Sequence, residues 1–145
     1  MSLGGEYDGD NVFAKILRGD LPAAKVFEDA HVLAFMDVFP QARGHTLVIS
    51  KKSKARNILD VEPEILSHLI LDVQRVAKAV CAALRPDGLV ITQFNGACAG
   101  QSVFHLHFHV IPRWADQPAR AHGEGGMANS AELEDLAKQI SAMID

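Results

Sequence analysis

Along the chain the apolar residues change period several times, and each change marks an element. Phe13, Ile16 and Leu17 recur at i, i+3 and i+4 between Asn11, an N-cap residue type, and Gly19, which predicts a short N-terminal helix. The runs "AKVFE" (24–28) and "HVLAFMDV" (31–38) are strand-like and meet at Asp29-Ala30, a hairpin. A loop, "FPQARG" (39–44), leads to a third strand, "HTLVIS" (45–50), and then to the basic, polar stretch "KKSKARN". From 62 to 85 the period becomes helical. Leu66, Leu69, Ile70, Val73, Val76, Ala77, Val80 and Leu84 form one stripe, with Asp60 or Glu62 and Pro63 at its start and "RPDG" (85–88) at its end. "LVITQFN" (89–95) and "SVFHLHFHVI" (102–111) predict two further strands, the second stopping at Pro112, with the small-residue loop "GACAGQ" (96–101) between them. Residues 115–128, with "GEGG", have a flexible composition. Asn129 with Glu132 forms a capping-box pattern ahead of a last helix over 130–143.

These elements predict an α+β fold of about five strands around one long central helix, with a short helix near the N-terminus and another at the C-terminus. Most strands follow one another through short turns, so the sheet is expected to be antiparallel. No internal repeat or long linker divides 11–145, which reads as one domain. Residues 1–10, "MSLGGEYDGD", read as a tail without the basic and apolar segments of a secretory signal.

Bulk properties narrow the function. At 145 residues, 48% apolar and 22% charged, the chain can bury one core. A net charge of -4 disfavours a nucleic-acid polymer as partner, which calls for a basic face, but not a small phosphorylated ligand. No apolar run approaches the roughly 18–20 residues of a membrane span. Two cysteines, Cys81 and Cys98, make no disulfide framework, so a reducing, cytoplasmic location is expected.

The chemistry concentrates in "HLHFHVIPR" (105–113). On a strand His105, His107 and His109 share one face while Leu106, Phe108 and Val110 take the other, toward a core. Three readings compete: a polar solvent-facing strand, a zinc site made of alternate histidines, and a catalytic row in which an imidazole attacks phosphorus. The preceding "GACAGQS" favours the third. Its glycines let backbone approach a ligand and leave N–H groups for anionic oxygens, with Gln101 and Ser102 as neutral donors. His45, at the start of another strand, is placed to join the cluster. His31, His68 and His122 read as surface histidines, and "KKSK" (51–54) as a solvated loop.

"GQSVFHLHFHVIPR" resembles the signature of the histidine triad (HIT) family. "NVFAKILRGDLPAAKVFED" and "VLAFMDVFPQARGHTLVISKK" resemble that family's N-terminal half, so the likeness spans roughly residues 11–113. The nearest branch is the Hint-like nucleotide hydrolases, which implies the HIT-like fold.

The resemblance implies roles for individual residues. His107 matches the histidine that attacks the α-phosphorus of a nucleotide, forming a covalent nucleotidyl-histidine that water then hydrolyses. His109 matches the phosphate contact, and His105 and His45 match supporting positions. Gly100, Gln101, Ser102 and Val103 match the loop beside phosphate and leaving group, and Asn95 a polar residue near it. Asp37 matches the carboxylate that accepts from the ribose hydroxyls. Phe13, Ile16, Phe35 and Val38 match the walls around a purine base. Many bacterial members carry a C-x-x-C pair that, with two histidines, holds structural zinc. Asn11 and Ala14 stand there in this chain, so neither a zinc nor any other cofactor is expected. The implied activity is hydrolysis or transfer on a purine nucleoside phosphoramidate or related monophosphate conjugate. Dinucleoside polyphosphate hydrolysis, a nucleotide-binding module with little turnover, and a metal-dependent hydrolase remain open as alternatives. Hint-like members are homodimers, which makes a second copy of the chain the expected partner.

Overall fold

The computed structural model describes residues 3–118, 120, 121 and 123–145. His122 lies outside the described residues. Helix α1 (Val12–Leu17) precedes strands β1 (Lys25–Glu28), β2 (Val32–Met36) and β3 (Thr46–Ser50). Helix α2 (Pro63–Leu84), strand β4 (Gly88–Thr92), a 3-10 turn (Ala97–Ala99), strand β5 (His107–Arg113) and helix α3 (Ser130–Ser141) complete it. The strands form one antiparallel sheet in the order β1-β2-β3-β5-β4.

Local chemistry explains the boundaries. The Asn11 side chain accepts the Ala14 N–H at 2.9 Å and starts α1, and Gly19 at φ 85 ends it. Asp29 Oδ1 accepts the N–H groups of His31 and Val32 at 2.8 and 2.7 Å and closes the β1–β2 hairpin. Pro63 follows the α2 N-cap, Glu62, whereas the Asp60 carboxylate caps Arg56 and Asn57 instead. Asn129 caps α3 through the Ala131 and Glu132 N–H groups.

The two faces of the sheet carry separate clusters. On one, Val32, Ala34, Val48, Phe108 and Val110 pack against Leu69, Val73, Val76 and Val80 of α2 and Leu133, Leu136 and Ile140 of α3. On the other, Leu33, Phe35, Leu47 and Ile49 pack against Phe13 and Ile16 of α1. The sheet is thus buried on both sides, which is why β2 and β3 read as continuous apolar runs rather than alternating ones.

Several expectations differ from the fold. Strand β5 begins at His107, not at 102, because β3 ends at Ser50 and its pairing with β5 stops at Ile49–His107. It also runs through Pro112 to Arg113, where only β4 pairs with it and the missing proline N–H breaks no ladder with β3. Residues 3–10, expected as a tail, lie against the domain: Asn57 Nδ2 donates to the Leu3 carbonyl at 2.8 Å, and Arg56 to the Glu6 carbonyl at 2.9 Å. In the α2 stripe, Ile70 stays 46% exposed. Among the described residues no helix is long and apolar enough to cross a membrane.

Candidate active site

The sheet register assembles the site. Pairing places Phe35 beside Leu47 and Leu47 beside His109, while Leu33 and His107 flank Ile49. On that face α1 lays Phe13 over the rows, its ring 5.5 Å from Phe35 and 4.9 Å from His107. Between them opens a cavity of about 340 Å³. Phe13, Ile16, Phe35, Asp37, Val38, Ser102, Val103, His107 and His109 all line it, so nine of the sequence-predicted residues meet there. Val12, Pro22, Ala23, Met36, Phe39 and Leu47 also contribute. Leu47 was not legible as a site residue, because only the register puts it beside His109.

The remaining predicted residues, His45, Asn95, Gly100, Gln101 and His105, do not line the cavity. Gln101 is buried, and its amide is spent on backbone: Oε1 accepts the Gly96 N–H at 2.8 Å, and Nε2 donates to the carbonyls of Arg56 and Val103 at 2.6 and 3.0 Å. Asn95 Oδ1 accepts the Ile58 N–H at 3.0 Å and the Gln93 amide at 2.9 Å, tying the end of β4 to the stretch after β3. Gly100, at φ 113, needs its missing side chain because a Cβ would press on the Phe94 ring at 3.3 Å. Part of the expected cradle of open N–H groups is closed within the loop. The N–H groups of Ala99 and Gln101 donate to the Gly96 carbonyl and that of Gly100 to Ala97, because the 3-10 turn closes the loop on itself.

The four site histidines are almost fully buried: His45 is 0% exposed, His105 1%, and His107 and His109 6% each. Their hydrogen bonds assign their tautomers. His107 Nδ1 lies 2.7 Å from the His105 carbonyl, which only accepts, so Nδ1 carries the hydrogen and Nε2 the lone pair. The Gln41 N–H donates to His45 Nδ1 at 3.0 Å, so a neutral His45 carries its hydrogen on Nε2. That nitrogen is 2.9 Å from His109 Nδ1 and 3.4 Å from Asp37 Oδ2. Accepting at Nδ1, a neutral His109 presents Nε2–H. The row therefore offers one nucleophilic nitrogen and one donor side by side, their rings 5.0 Å apart.

His105 has a partner that sequence reasoning missed. Its Nε2 is 2.8 Å from the Ser50 carbonyl and its Nδ1 2.6 Å from the Tyr7 hydroxyl. Burial holds the His105 pKa below the ordinary imidazole value, against the opposing Ser50 bond, and so keeps the ring neutral. Tyr7 lies within 1–10, and no local pattern marks it.

Two donor sets bear on metal binding. Asp37, His45 and His109 gather one oxygen and two nitrogens within 4.8 Å of one another. However, the nitrogen His45 turns to that group carries a hydrogen, leaving no lone pair for an ion. At the positions of the C-x-x-C pair, Asn11 caps α1 through the Ala14 N–H, and Ala14 has no ligating atom. Both nitrogens of the adjacent His105 are engaged. These residues do not fit a four-ligand zinc site.

An antiparallel sheet with a buried histidine row beside an apolar cavity marks the class of protein. Residues 18–116 match the HIT domain, and the chain belongs to the HIT family. A Hit-like protein involved in cell-cycle regulation from Bartonella henselae superposes with TM-score 0.87 at 46% identity over 95% of this chain and 99% of that one. A zinc-bound histidine triad family protein from Mycobacterium smegmatis superposes with TM-score 0.79 at 32% identity, covering 92% of each chain. The adenosine 5′-monophosphoramidase hnt1 of Schizosaccharomyces pombe is 34% identical over 134 residues, 92% of this chain and 97% of that protein.

Proposed function

We propose that the protein is a nucleotide hydrolase or transferase that cleaves nucleoside phosphoramidates, or related nucleoside monophosphate conjugates, at the α-phosphate without a metal. The observation that carries this reading is His107, its Nδ1–H held by the His105 carbonyl at 2.7 Å and its lone-pair nitrogen at the wall of the cavity. In this reading a purine lies between Phe13, Ile16, Phe35 and Val38, and Asp37 accepts from the ribose hydroxyls. His107 Nε2 attacks phosphorus, and the bond to the leaving nitrogen or oxygen breaks with its electron pair, the leaving group taking up a proton. The nucleotidyl-imidazolium keeps its Nδ1–H on the His105 carbonyl, while His109 Nε2–H and Ser102 donate to phosphoryl oxygens. Water then attacks phosphorus and loses a proton, the P–N bond breaks, and the nucleoside monophosphate leaves. The phosphoramidase activity of the fission-yeast relative supports this substrate class.

The proposed assembly is a homodimer in the cytoplasm. Strand β4 is a sheet edge, and a groove of about 430 Å³ between it and α2 is lined by Ile70, Val73, Ala77, Leu89 and Ile91. The two exposed, unbridged thiols of Cys81 and Cys98 support a reducing compartment.

The test is hydrolysis of adenosine 5′-phosphoramidate in EDTA by the wild type and by His107→Ala. AMP release by the wild type alone is expected. Equal rates in both proteins overturn His107 as nucleophile, and loss of activity in EDTA overturns metal independence.

A further inference from the structure

We infer that Tyr7 is a positioning residue for the histidine row, setting the nucleophile through His105. The inference rests on the proposed role of His107 and on a chain of three hydrogen bonds. His105 Nε2–H is committed to the Ser50 carbonyl at 2.8 Å, so Nδ1 of the neutral ring holds a lone pair, and the Tyr7 O–H donates to it at 2.6 Å. The ring is thereby pinned at both nitrogens, one to β3 and one to the N-terminal segment. The carbonyl of the same residue accepts the His107 Nδ1–H at 2.7 Å, and the next N–H, of Leu106, donates to the Ala55 carbonyl at 3.0 Å. Residue 105 precedes β5, so no sheet ladder orients that carbonyl. Its direction is set by how the side chain and the following N–H are held.

Tyr7 is itself held firmly enough to act this way. Glu6 and Leu3 on its N-terminal side are tied to Arg56 and the buried Asn57. The Arg56 guanidinium lies 4.7 Å from the centre of the Phe104 ring, next in sequence to His105. The Tyr7 and His105 rings meet edge-on, with centroids 5.7 Å apart. Removing only the hydroxyl leaves the ring contact and the strap and takes away the bond that fixes Nδ1. His105 is then free to rotate or change tautomer, and the orientation of His107 loosens with it.

Tyr7→Phe is the test, because a packing role would leave it like the wild type. With adenosine 5′-phosphoramidate, kcat is expected to fall about tenfold with KM within about twofold, the size usual for a lost bond that orients a reacting group. Unchanged kcat overturns the inference. A second readout does not depend on turnover: ¹⁵N spectra of histidine-labelled protein. The wild type is expected to show His105 with a hydrogen-bonded, unprotonated Nδ1 and His107 protonated at Nδ1. In Tyr7→Phe the His105 Nδ1 resonance moves and the His107 signals report mixed tautomers. Identical spectra in the two proteins overturn the inference even where the wild type turns over no substrate, a result that would count separately against the proposed reaction.

Discussion

His45 Nε2 stands 2.9 Å from His109 Nδ1, and the two residues are 64 positions apart in the chain. This contact decides which nitrogen of His109 offers a hydrogen to the cavity. His45→Ala removes the donor, and kcat is expected to fall about tenfold to a hundredfold with a smaller change in KM. In His45→Gln an amide nitrogen can take the place of Nε2, and much of the rate should return. Steady-state kinetics decide: equal impairment of the two variants excludes donation as the role of His45.

Asp37 sits on the cavity wall with Oδ1 accepting the Phe39 N–H at 2.8 Å. Asp37→Asn can keep that bond while losing charge and one acceptor. The wild type is expected to prefer the ribose substrate over its 2′-deoxy analogue by about tenfold in kcat/KM, the scale of one hydrogen bond to a charged group. The variant should lose most of that preference. An undiminished preference would remove Asp37 from the ribose site.

On the opposite face Asp72, buried on α2, shares a hydrogen bond with Asp29. Burial first, then that bond and the Asp29 charge, push the Asp72 pKa up to about 6. Asp29 is held low despite its burial by the Asp72 bond and by the His31 and Val32 N–H groups. For a carboxyl raised in the folded state, the stabilising contribution is complete below its unfolded pKa near 3.8 and is lost as pH rises through about 6. Asp72→Asn cannot ionise, so its melting temperature relative to the wild type should climb between about pH 4 and pH 7 and level off above. The gain at pH 8 is on the order of 1 kcal/mol, since Arg75 at 3.3 Å partly offsets the Asp72 charge. Thermal melts across that range check it, and a flat difference would contradict the shift.

Gly44, at φ 92, turns the chain into His45, and a Cβ there would collide with Leu84 and lie 3.2 Å from Pro112 Cγ. Gly44→Ala should cost about 2 kcal/mol from the left-handed backbone and the crowding together, lowering the melting temperature by several degrees. A melt within a degree of the wild type would show that the turn relaxes freely.

Ile91 is 46% exposed on the edge strand β4 and lines the groove beside α2. Ile91→Arg places a charge in the proposed subunit contact, and light scattering at micromolar concentration should change from dimer to monomer. A wild type already monomeric would exclude the dimer.

Sequence alone determined the parts of this protein that depend on near neighbours. Asn11, Asp29 and Asn129 mark element starts because their short side chains reach backbone N–H groups two or three residues on. The period of α2 marked its buried side, and the alternation of residues 106–110 marked which residues enter the core. The histidine row and nine of the cavity-lining residues were legible through the family pattern. Tertiary structure decided what depends on partners far along the chain. Register put Leu47 beside His109, and the turn before His45 delivered it to the same ring. The 3-10 turn consumed N–H groups that composition alone left open, and Tyr7 reached His105 from 98 positions away. A tautomer is set by whichever donor or acceptor the fold brings to each nitrogen, and no local pattern of residue types encodes that.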